Sequence, residues 1–313
     1  MTSSWSIANI PNQDGKFILI TGANSGLGFE SAGVLAAKKA HVIMACRSLE
    51  RAQAARHEIV QAHPSSVVDV LPLDLTSLDS VRRCAMEFNL RYPRLDVLLN
   101  NAGVMATPRL RSEDGFELQF GANHLGHFAL SGLLLERLLA APSSRVVTVY
   151  SVADIYAWID FNSFGGQGFY NRWIAYGQAK LANLVFAMEL NRRLAAREAG
   201  AISLAAHPGL TRTNLQVAGL SMQPKDRLQA RLMRTIRDVF FQDVTLGALP
   251  QLLAATAPEA RGGEVYGPQG FLQMAGPPKK ITPFNRGWRD EKLGKRLWKA
   301  SQELTGVKYL NGP

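Results

Sequence analysis

Two side chains four positions apart could share a proton: Tyr176 and Lys180, in the run YGQAK. They open a long helical pattern, AKLANLVFAMEL, and a spacing of four puts both on one helix face. A free phenol titrates near about 10, too high for proton transfer at neutral pH. A neighbouring ammonium stabilises the phenolate and lowers that value toward the working range. Such pairs also arise by chance, but the chain has no other Tyr-x-x-x-Lys.

A second group of residues suits an anion. In KFILITGANSGLGFESAGVLAA, residues 16–37, the apolar run Phe17–Ile20 reads as a strand buried on both faces. Gly22, Gly26 and Gly28 follow, with Ser25 as N-cap and Leu27, Val34 and Leu35 continuing into a helix. Glycine permits a tight turn and close backbone approach, and the N–H groups of a helix's first turn point at a diphosphate. The spacing is G-x-x-x-G-x-G rather than the common G-x-G-x-x-G. A purely steric glycine turn is the competing reading; the strand before and helix after favour nucleotide binding.

The elements that must position these residues follow in alternation. Strands are expected at 17–20, 41–46, 67–72, 96–100, 145–150, 202–206 and 264–266. Helices are expected at about 26–38, 49–63, 78–92, 116–140 and 174–199. The pattern predicts a doubly wound α/β Rossmann fold: a central parallel sheet of about seven strands, with helices on both faces. The chain reads as one domain over residues 1–313, with no internal repeat or linker. After Gly209 the regular alternation breaks.

The second strand ends in ACRS, where an NAD site usually has an acid for the ribose 2′-OH. Arg47, followed by Ser48, suits a 2′-phosphate instead and argues for NADP(H). Asp74, in LDLTS, could accept from an adenine amino group or simply precede a helix capped by Thr76 and Asp79. NNAG, residues 100–103, leaves room for a ribose, and Asn100 alternatively bonds neighbouring strands.

The ordered set TGANSGLG, NNAG, Ser151, YGQAK and HPG resembles the short-chain dehydrogenase/reductase family across nearly the whole chain. ACRS and NHLGHF resemble its retinol-dehydrogenase-like branch, which includes WW-domain oxidoreductase and protochlorophyllide-reductase relatives. The resemblance implies Tyr176 as acid/base and Lys180 as ribose ligand and tuner of the phenol. It implies Ser151 as the group orienting the substrate oxygen and Asn123 as part of a proton relay. It places NADP(H) on Gly22, Asn24, Ser25, Gly26, Leu27, Gly28, Arg47, Ser48, Asp74 and Leu75. Further contacts are Asn101, Ala102, Gly103, Tyr176, Lys180, Pro208, Gly209, Thr211 and Thr213, the last matching the carboxamide-binding threonine best. Ser151 lies 25 positions before Tyr176, whereas Ser163, 13 before, has the commoner spacing. Ser151 is preferred because it ends the strand RVVTVYS at the sheet's carboxyl edge. Residues 152–173 then form an aromatic-rich insertion (Tyr156, Trp158, Phe161, Phe164, Phe169, Tyr170, Trp173), and Tyr150 is a bulky neighbour that narrows or reshapes the pocket.

Residues about 210–245 are expected to be a substrate lid, with Leu220, Met222, Leu228, Leu232, Met233 and Phe240 either lining a pocket or packing helices. The expected activity is hydride transfer between NADP(H) and a bulky hydrophobic ketone, aldehyde or alcohol. A protochlorophyllide-type C=C reductase and a non-catalytic NADP(H)-binding sensor are the alternatives.

Composition bounds the rest. Of 313 residues, 47% are hydrophobic and none form a membrane-length apolar run, and the N-terminus lacks a signal-peptide pattern. Two cysteines, Cys46 and Cys84, fit a reducing cytoplasm. The net charge of +10 is spread out, apart from 225–237 and 292–299. Nucleic acid is not expected, while peripheral membrane contact through 225–237 stays open. His124 and His127 have no ligand partners for a metal and read as structural. The long helices of the family leave a homodimer or homotetramer open.

Overall fold

The structure, a computed structural model, describes residues 4–213, 215, 219–223, 226, 235 and 241–311. Strands β1 (Phe17–Thr21), β2 (His41–Cys46), β3 (Val67–Pro72), β4 (Val97–Asn100), β5 (Arg145–Val149), β6 (Ile202–Ala206), β7 (Val265–Pro268) and β8 (Pro278–Lys280) form one sheet. Its order is β3-β2-β1-β4-β5-β6-β7-β8, and every pairing is parallel except β7–β8. The order reverses between β1 and β4, so the loops after those strands diverge and open a crevice at the carboxyl edge.

Apolar side chains alternate through the sheet to two cores. Ile18, Ile20, Val42, Met44 and Leu99 face one side, against helices α1 (Gly26–Ala37) and α2 (Leu49–Ala62). Leu19, Ile43, Leu71 and Leu98 face the other, against α3 (Leu78–Arg91). Strands buried on both faces explain the unbroken apolar runs in the sequence.

The expected single helix over 116–140 is four pieces: α4 (Leu118–Phe120), a π-helical turn Gly121–Leu125, α5 (Gly126–Leu133) and α6 (Leu135–Leu139). Apolar periodicity runs through all four, so the sequence hides the break. Helix α7 (Arg172–Ala195) starts two residues before the expected position, with Asn171 as its N-cap accepting from the Trp173 and Ile174 amides. Helices α8 (Val244–Thr256) and α9 (Glu291–Thr305) lie in the stretch where the sequence pattern lapsed. Strand β8 is also additional, since PPKK carries no strand signature. Helix α3 is capped by Ser77, which accepts from the Ser80 amide, rather than by Thr76.

Candidate active site

The end of β5 and the start of α7 bring the acid/base candidates together. The Ser151 hydroxyl stands beside the Tyr176 phenol, where it favours the ionised form, and Ser151 Oγ accepts from the Ala153 N–H at 3.3 Å. Gly177 makes this approach fit: a Cβ there would lie 2.7 Å from the Ala153 carbonyl and 3.1 Å from the Tyr156 ring. Ser163 lies elsewhere, donating to the Asp160 carbonyl at 2.9 Å and accepting from Gln178 Nε2 at 2.9 Å.

Lys180 Nζ donates to the Val149 carbonyl at 3.1 Å and stands 5.8 Å from the Tyr176 ring centre. Burial brings its ammonium down to about 8. Burial pushes the Tyr176 phenol up to about 12, with the neighbouring Ser151 hydroxyl pulling it back and Tyr156 adding to the rise. The expected lowering by Lys180 is therefore not what governs the phenol here; desolvation of the phenolate outweighs it.

Asn123 sits in the π-helical turn, a type of local break found at functional sites. Its amide clamps one residue: Oδ1 accepts from the Val104 N–H at 2.7 Å, and Nδ2 donates to the Val104 carbonyl at 2.9 Å. Its own carbonyl accepts from His127 Nδ1 at 2.9 Å. A Cβ on Gly103 would meet Asn123 Oδ1 at 3.0 Å and Lys180 Nζ at 3.5 Å, so the end of NNAG lies directly over both.

His127 is structural, as expected, and Thr21 and Gln119, which the sequence reading did not single out, hold this frame with it. His127 Nε2 lies 2.9 Å from Thr21 Oγ1, which in turn accepts from the Asn101 and Ala102 N–H groups at 3.0 and 2.9 Å. Gln119 Oε1 accepts from the Ala106 N–H at 2.8 Å, and its Nε2 donates to the Arg172 carbonyl at 2.9 Å. Gln119 thereby ties a left-handed turn at Ala106, φ +53°, to the first residue of α7. A buried amide inside an apolar-looking helix was the available signal.

The three glycines of the turn have different surroundings. A Cβ on Gly22 would meet Ala102 Cβ at 2.9 Å, and one on Gly28 would meet the Gly22 carbonyl at 2.5 Å. Those two glycines permit loop-on-loop packing. Gly26, φ +56°, has only the Thr213 side chain within reach, at 3.6 Å, so its open side fits a diphosphate. Ser25 occupies the N-cap, but its hydroxyl makes no capping bond. Leu27, in the first turn of α1, is half-buried, and the Ala23 and Asn24 amides face the Cys46 thiol.

Arg47 is exposed just past β2, while Ser48 caps α2. Asp74 Oδ1 accepts from the Thr76 N–H and hydroxyl at 2.9 and 2.8 Å, and the Leu75 carbonyl packs on Gly126. Asn100 is buried and donates to Ser131 Oγ at 3.1 Å; Asn101 Nδ2 donates to the Thr21 carbonyl at 2.9 Å. Thr211 Oγ1 turns back to the Pro208 carbonyl at 2.7 Å, and Gly209 turns the chain at φ +65°. Thr213 beside Gly26 is thus the threonine nearer the glycine turn.

Tyr150 does not reach across the catalytic pair. It packs with Leu184, Met188, Val265 and Trp288, edge-on to His207 at 5.1 Å. The insertion is divided as well. Phe164 stacks on Phe120 at 4.0 Å, Phe161 lies under Arg296, and Trp173 packs with Met105, Ala106 and Leu220. Tyr156, Trp158 and Phe169 are exposed, as is Met222. Leu228, Leu232, Met233, Phe240 and most of 225–237 lie outside the described residues. A cavity of about 600 Å³ borders the first turn of α7, lined by Tyr170, Trp173, Pro108, Arg109, Asn171, Arg172, Gln223 and Asp226. The Arg172–Asp226 ion pair, 2.8 Å, crosses it. Its lining is more polar than the sequence suggested.

Among the described residues no helix is long and apolar enough to cross a membrane, and no three metal-ligating side chains cluster. The profile of the short chain dehydrogenase family matches residues 16–223. Human retinol dehydrogenase 13 is 37% identical over 304 residues, covering 96% of this chain and 86% of its own. Retinol dehydrogenase 14 of Mus musculus is 39% identical over 306 residues, covering 94% and 86%. The crystal structure of an uncharacterized protein from Mycobacterium paratuberculosis is 36% identical, covers 98% of this chain and 99% of its own, and superposes with a TM-score of 0.80. With this fold, these motifs and these relatives, the chain belongs to the short-chain dehydrogenase family of oxidoreductases, in its retinol-dehydrogenase-like branch.

Proposed function

We propose that the protein is an NADP(H)-dependent carbonyl reductase or alcohol dehydrogenase for bulky hydrophobic substrates. The observation that carries this reading is the convergence of Ser151, at the end of β5, and Tyr176, in the first turns of α7, with Lys180 one turn further along α7 and Gly103 facing it. The nicotinamide supplies the hydride that reduces the carbonyl carbon when it is bound. Tyr176 gives its phenolic proton to the carbonyl oxygen, and Ser151 turns its hydroxyl hydrogen to the same oxygen. Two donors then meet the negative charge that develops there. Lys180, anchored on the Val149 carbonyl, holds the ribose side of the site beside Gly103. Asn123 takes its place in the proton relay from the family pattern and also fixes the Val104 segment over the site.

The diphosphate belongs on the open side of Gly26 and the first turn of α1, with Thr213 adjoining. Arg47 supports NADP(H) over NAD(H): it is exposed after β2, where a planar guanidinium can pair with a 2′-phosphate. A C=C reductase would need a further proton donor, and neither thiol suits. Cys46 ends β2 and Cys84 lies in α3; burial pushes them up to about 11 and 12.

The test is NADPH oxidation against hydrophobic ketones and aldehydes, with retinaldehyde included because the relatives are retinol dehydrogenases. NADH and a small polar carbonyl run in parallel. Turnover of the bulky substrates with NADPH supports the reading; turnover confined to small polar carbonyls contradicts it.

A further inference from the structure

The cavity of about 600 Å³ beside α7 and the catalytic pair share two walls. One wall is α7. Arg172 and Trp173 line the cavity, and Tyr176 follows them by four and three positions, one turn along the same helix face. The other wall is the loop after β4. It starts at Gly103, over Asn123 and Lys180, and reaches the cavity at Pro108 and Arg109. Gln119 cross-links the two walls, accepting from the Ala106 N–H and donating to the Arg172 carbonyl. Met105, Trp173 and Leu220 pack together on this stretch and make it apolar.

The cavity end has a different chemistry. Its charged groups are Arg109, Arg172 and Asp226, two cations against one anion. Asp226 Oδ2 accepts from Arg172 Nη1 at 2.8 Å, in a pair that is mostly buried. Arg109 has no acidic partner among the described residues. Its Nε and Nη2 both donate to the Gly166 carbonyl, at 2.9 and 2.5 Å, which fixes the guanidinium and leaves Nη1 for a ligand. Tyr170 adds no charge, since burial pushes its phenol up to about 12. Glu117, on the far side of that phenol, has its two oxygens on the Gln119 and Phe120 amides.

Hydrogen-bond donors also predominate there. Asn171 uses Oδ1 to accept from the Trp173 and Ile174 amides, so Nδ2 is its end for a ligand. Gln223 Oε1 is buried without a partner among the described residues, and the same amide turned over presents its N–H groups instead. A plain hydrocarbon tail in this cavity would desolvate these groups with nothing in return. A carboxylate would meet a planar guanidinium already held in place. The excess of one positive charge suits a single carboxylate better than a dianionic phosphate.

We propose that this cavity is a carboxylate subsite and that the substrate is an amphipathic oxo acid. Its ketone or aldehyde lies at Tyr176, its apolar carbons run along Met105, Trp173 and Leu220, and its carboxylate meets Arg109. The volume is in the range of pockets that enclose a small organic ligand. The reacting end of this inference rests on the proposed carbonyl chemistry; binding of the carboxylate does not.

Two measurements keep the subsite and the reaction apart. Calorimetry on the NADP⁺-loaded protein, with octanoate and with neutral octanamide, reads the subsite without turnover. The wild type is expected to bind octanoate at least about tenfold more tightly than octanamide, and Arg109→Gln is expected to abolish that preference. Thermal unfolding of the variant confirms that it folds. The second measurement is NADPH oxidation with an ω-oxo fatty acid of about ten carbons and with its methyl ester. The ratio of kcat/KM for acid over ester is expected to exceed about ten in the wild type and to fall by about tenfold in Arg109→Gln, mainly through KM. Octanoate bound no more tightly than octanamide overturns the proposal, and so does a preference for the acid that Arg109→Gln leaves intact. An octanoate preference that the variant abolishes, with neither oxo compound reduced, upholds the subsite and overturns the carbonyl-reductase reading instead.

Discussion

His127 donates through Nδ1 to the Asn123 carbonyl at 2.9 Å, across the π-helical turn of its own helix. That bond leaves Nε2 as the acceptor for the Thr21 hydroxyl, 2.9 Å away, and Thr21 holds the amides of Asn101 and Ala102. One imidazole thus joins β1, the NNAG loop and the turn that carries Asn123. Burial, with Lys180 adding to it, holds His127 down to about 4, so the ring is neutral at neutral pH.

His127→Leu should therefore remove the side-chain partner of the Asn123 carbonyl and leave the Thr21 hydroxyl only its long bond to the Leu99 carbonyl, 3.4 Å, as acceptor. The expected loss is about 1–3 kcal/mol of stability, the cost of one buried polar group left poorly paired. His127→Gln, which can keep one of the two bonds, should lose less. Chemical denaturation of the three proteins checks the order; equal stability of His127→Leu and wild type contradicts it.

Buried histidines set the acid side of stability. Burial lowers His124 to about 3, His127 to about 4 and His207 to about 4. Unfolded histidine titrates near about 6.5, so between about 6.5 and 4 the unfolded chain binds protons that the folded chain does not. Stability falls as pH drops through that window. Asp154 acts oppositely: burial raises it to about 7, so its folded form binds the proton first, and it loses stability as pH rises. Three histidines against one aspartate predict an uptake of about two protons on unfolding near about pH 5. Denaturant titrations at several pH values measure it; a flat profile from about pH 6.5 to 4 contradicts it.

Carbonyl reduction should decline as pH rises through about 8, the point to which burial lowers Lys180. Above it the ammonium loses its proton and no longer favours charge on the Tyr176 oxygen. Lys180→Met should cost about 10²–10⁴-fold in kcat/KM at neutral pH. A pH–rate profile on both proteins decides this, and an unchanged alkaline limb in the variant removes Lys180 as its source.

Arg47→Ala should raise KM for NADPH by about 10–100-fold, the worth of a charge-assisted hydrogen bond of about 1.5–3 kcal/mol, and leave NADH nearly unaffected. Parallel KM measurements with the two cofactors test the assignment. Equal losses with both would assign Arg47 a role other than reading the 2′-phosphate.

Gly177→Ala places a methyl 2.7 Å from the Ala153 carbonyl. Ser151 should move away from Tyr176 as the 152–156 turn is pushed off α7. Expected are about 1–3 kcal/mol of destabilisation and a kcat loss larger than any change in cofactor affinity. Differential scanning fluorimetry with steady-state kinetics separates the two effects. Wild-type kcat would show that the close approach has no catalytic consequence.

The sequence displays the sheet and its carboxyl-edge motifs because strands buried on both faces must be apolar throughout. It also displays Tyr176 and Lys180, whose spacing sets their shared face. The π-helical turn at Asn123 was hidden, since Phe120, Leu125, Phe128 and Leu130 keep an apolar rhythm through it. The roles of His127, Thr21 and Gln119 were hidden because hydrogen bonds between distant segments leave no local pattern. The division of labour among Gly22, Gly26 and Gly28 needed the positions of Ala102 and Thr213. The height of the Tyr176 titration depends on burial, which spacing alone does not report. Helices α8 and α9 flank the Gly- and Pro-rich stretch 262–278, where periodicity gave no clear boundary.

The most direct test of the proposed chemistry is the rate of NADPH oxidation by wild type and by Tyr176→Phe with one hydrophobic aldehyde, alongside NADPH binding by fluorescence. The account predicts turnover in the wild type, a loss of about 10³-fold or more in the variant, and cofactor affinity within a few-fold of wild type. A Tyr176→Phe protein that binds NADPH and still reduces the aldehyde at the wild-type rate would contradict it.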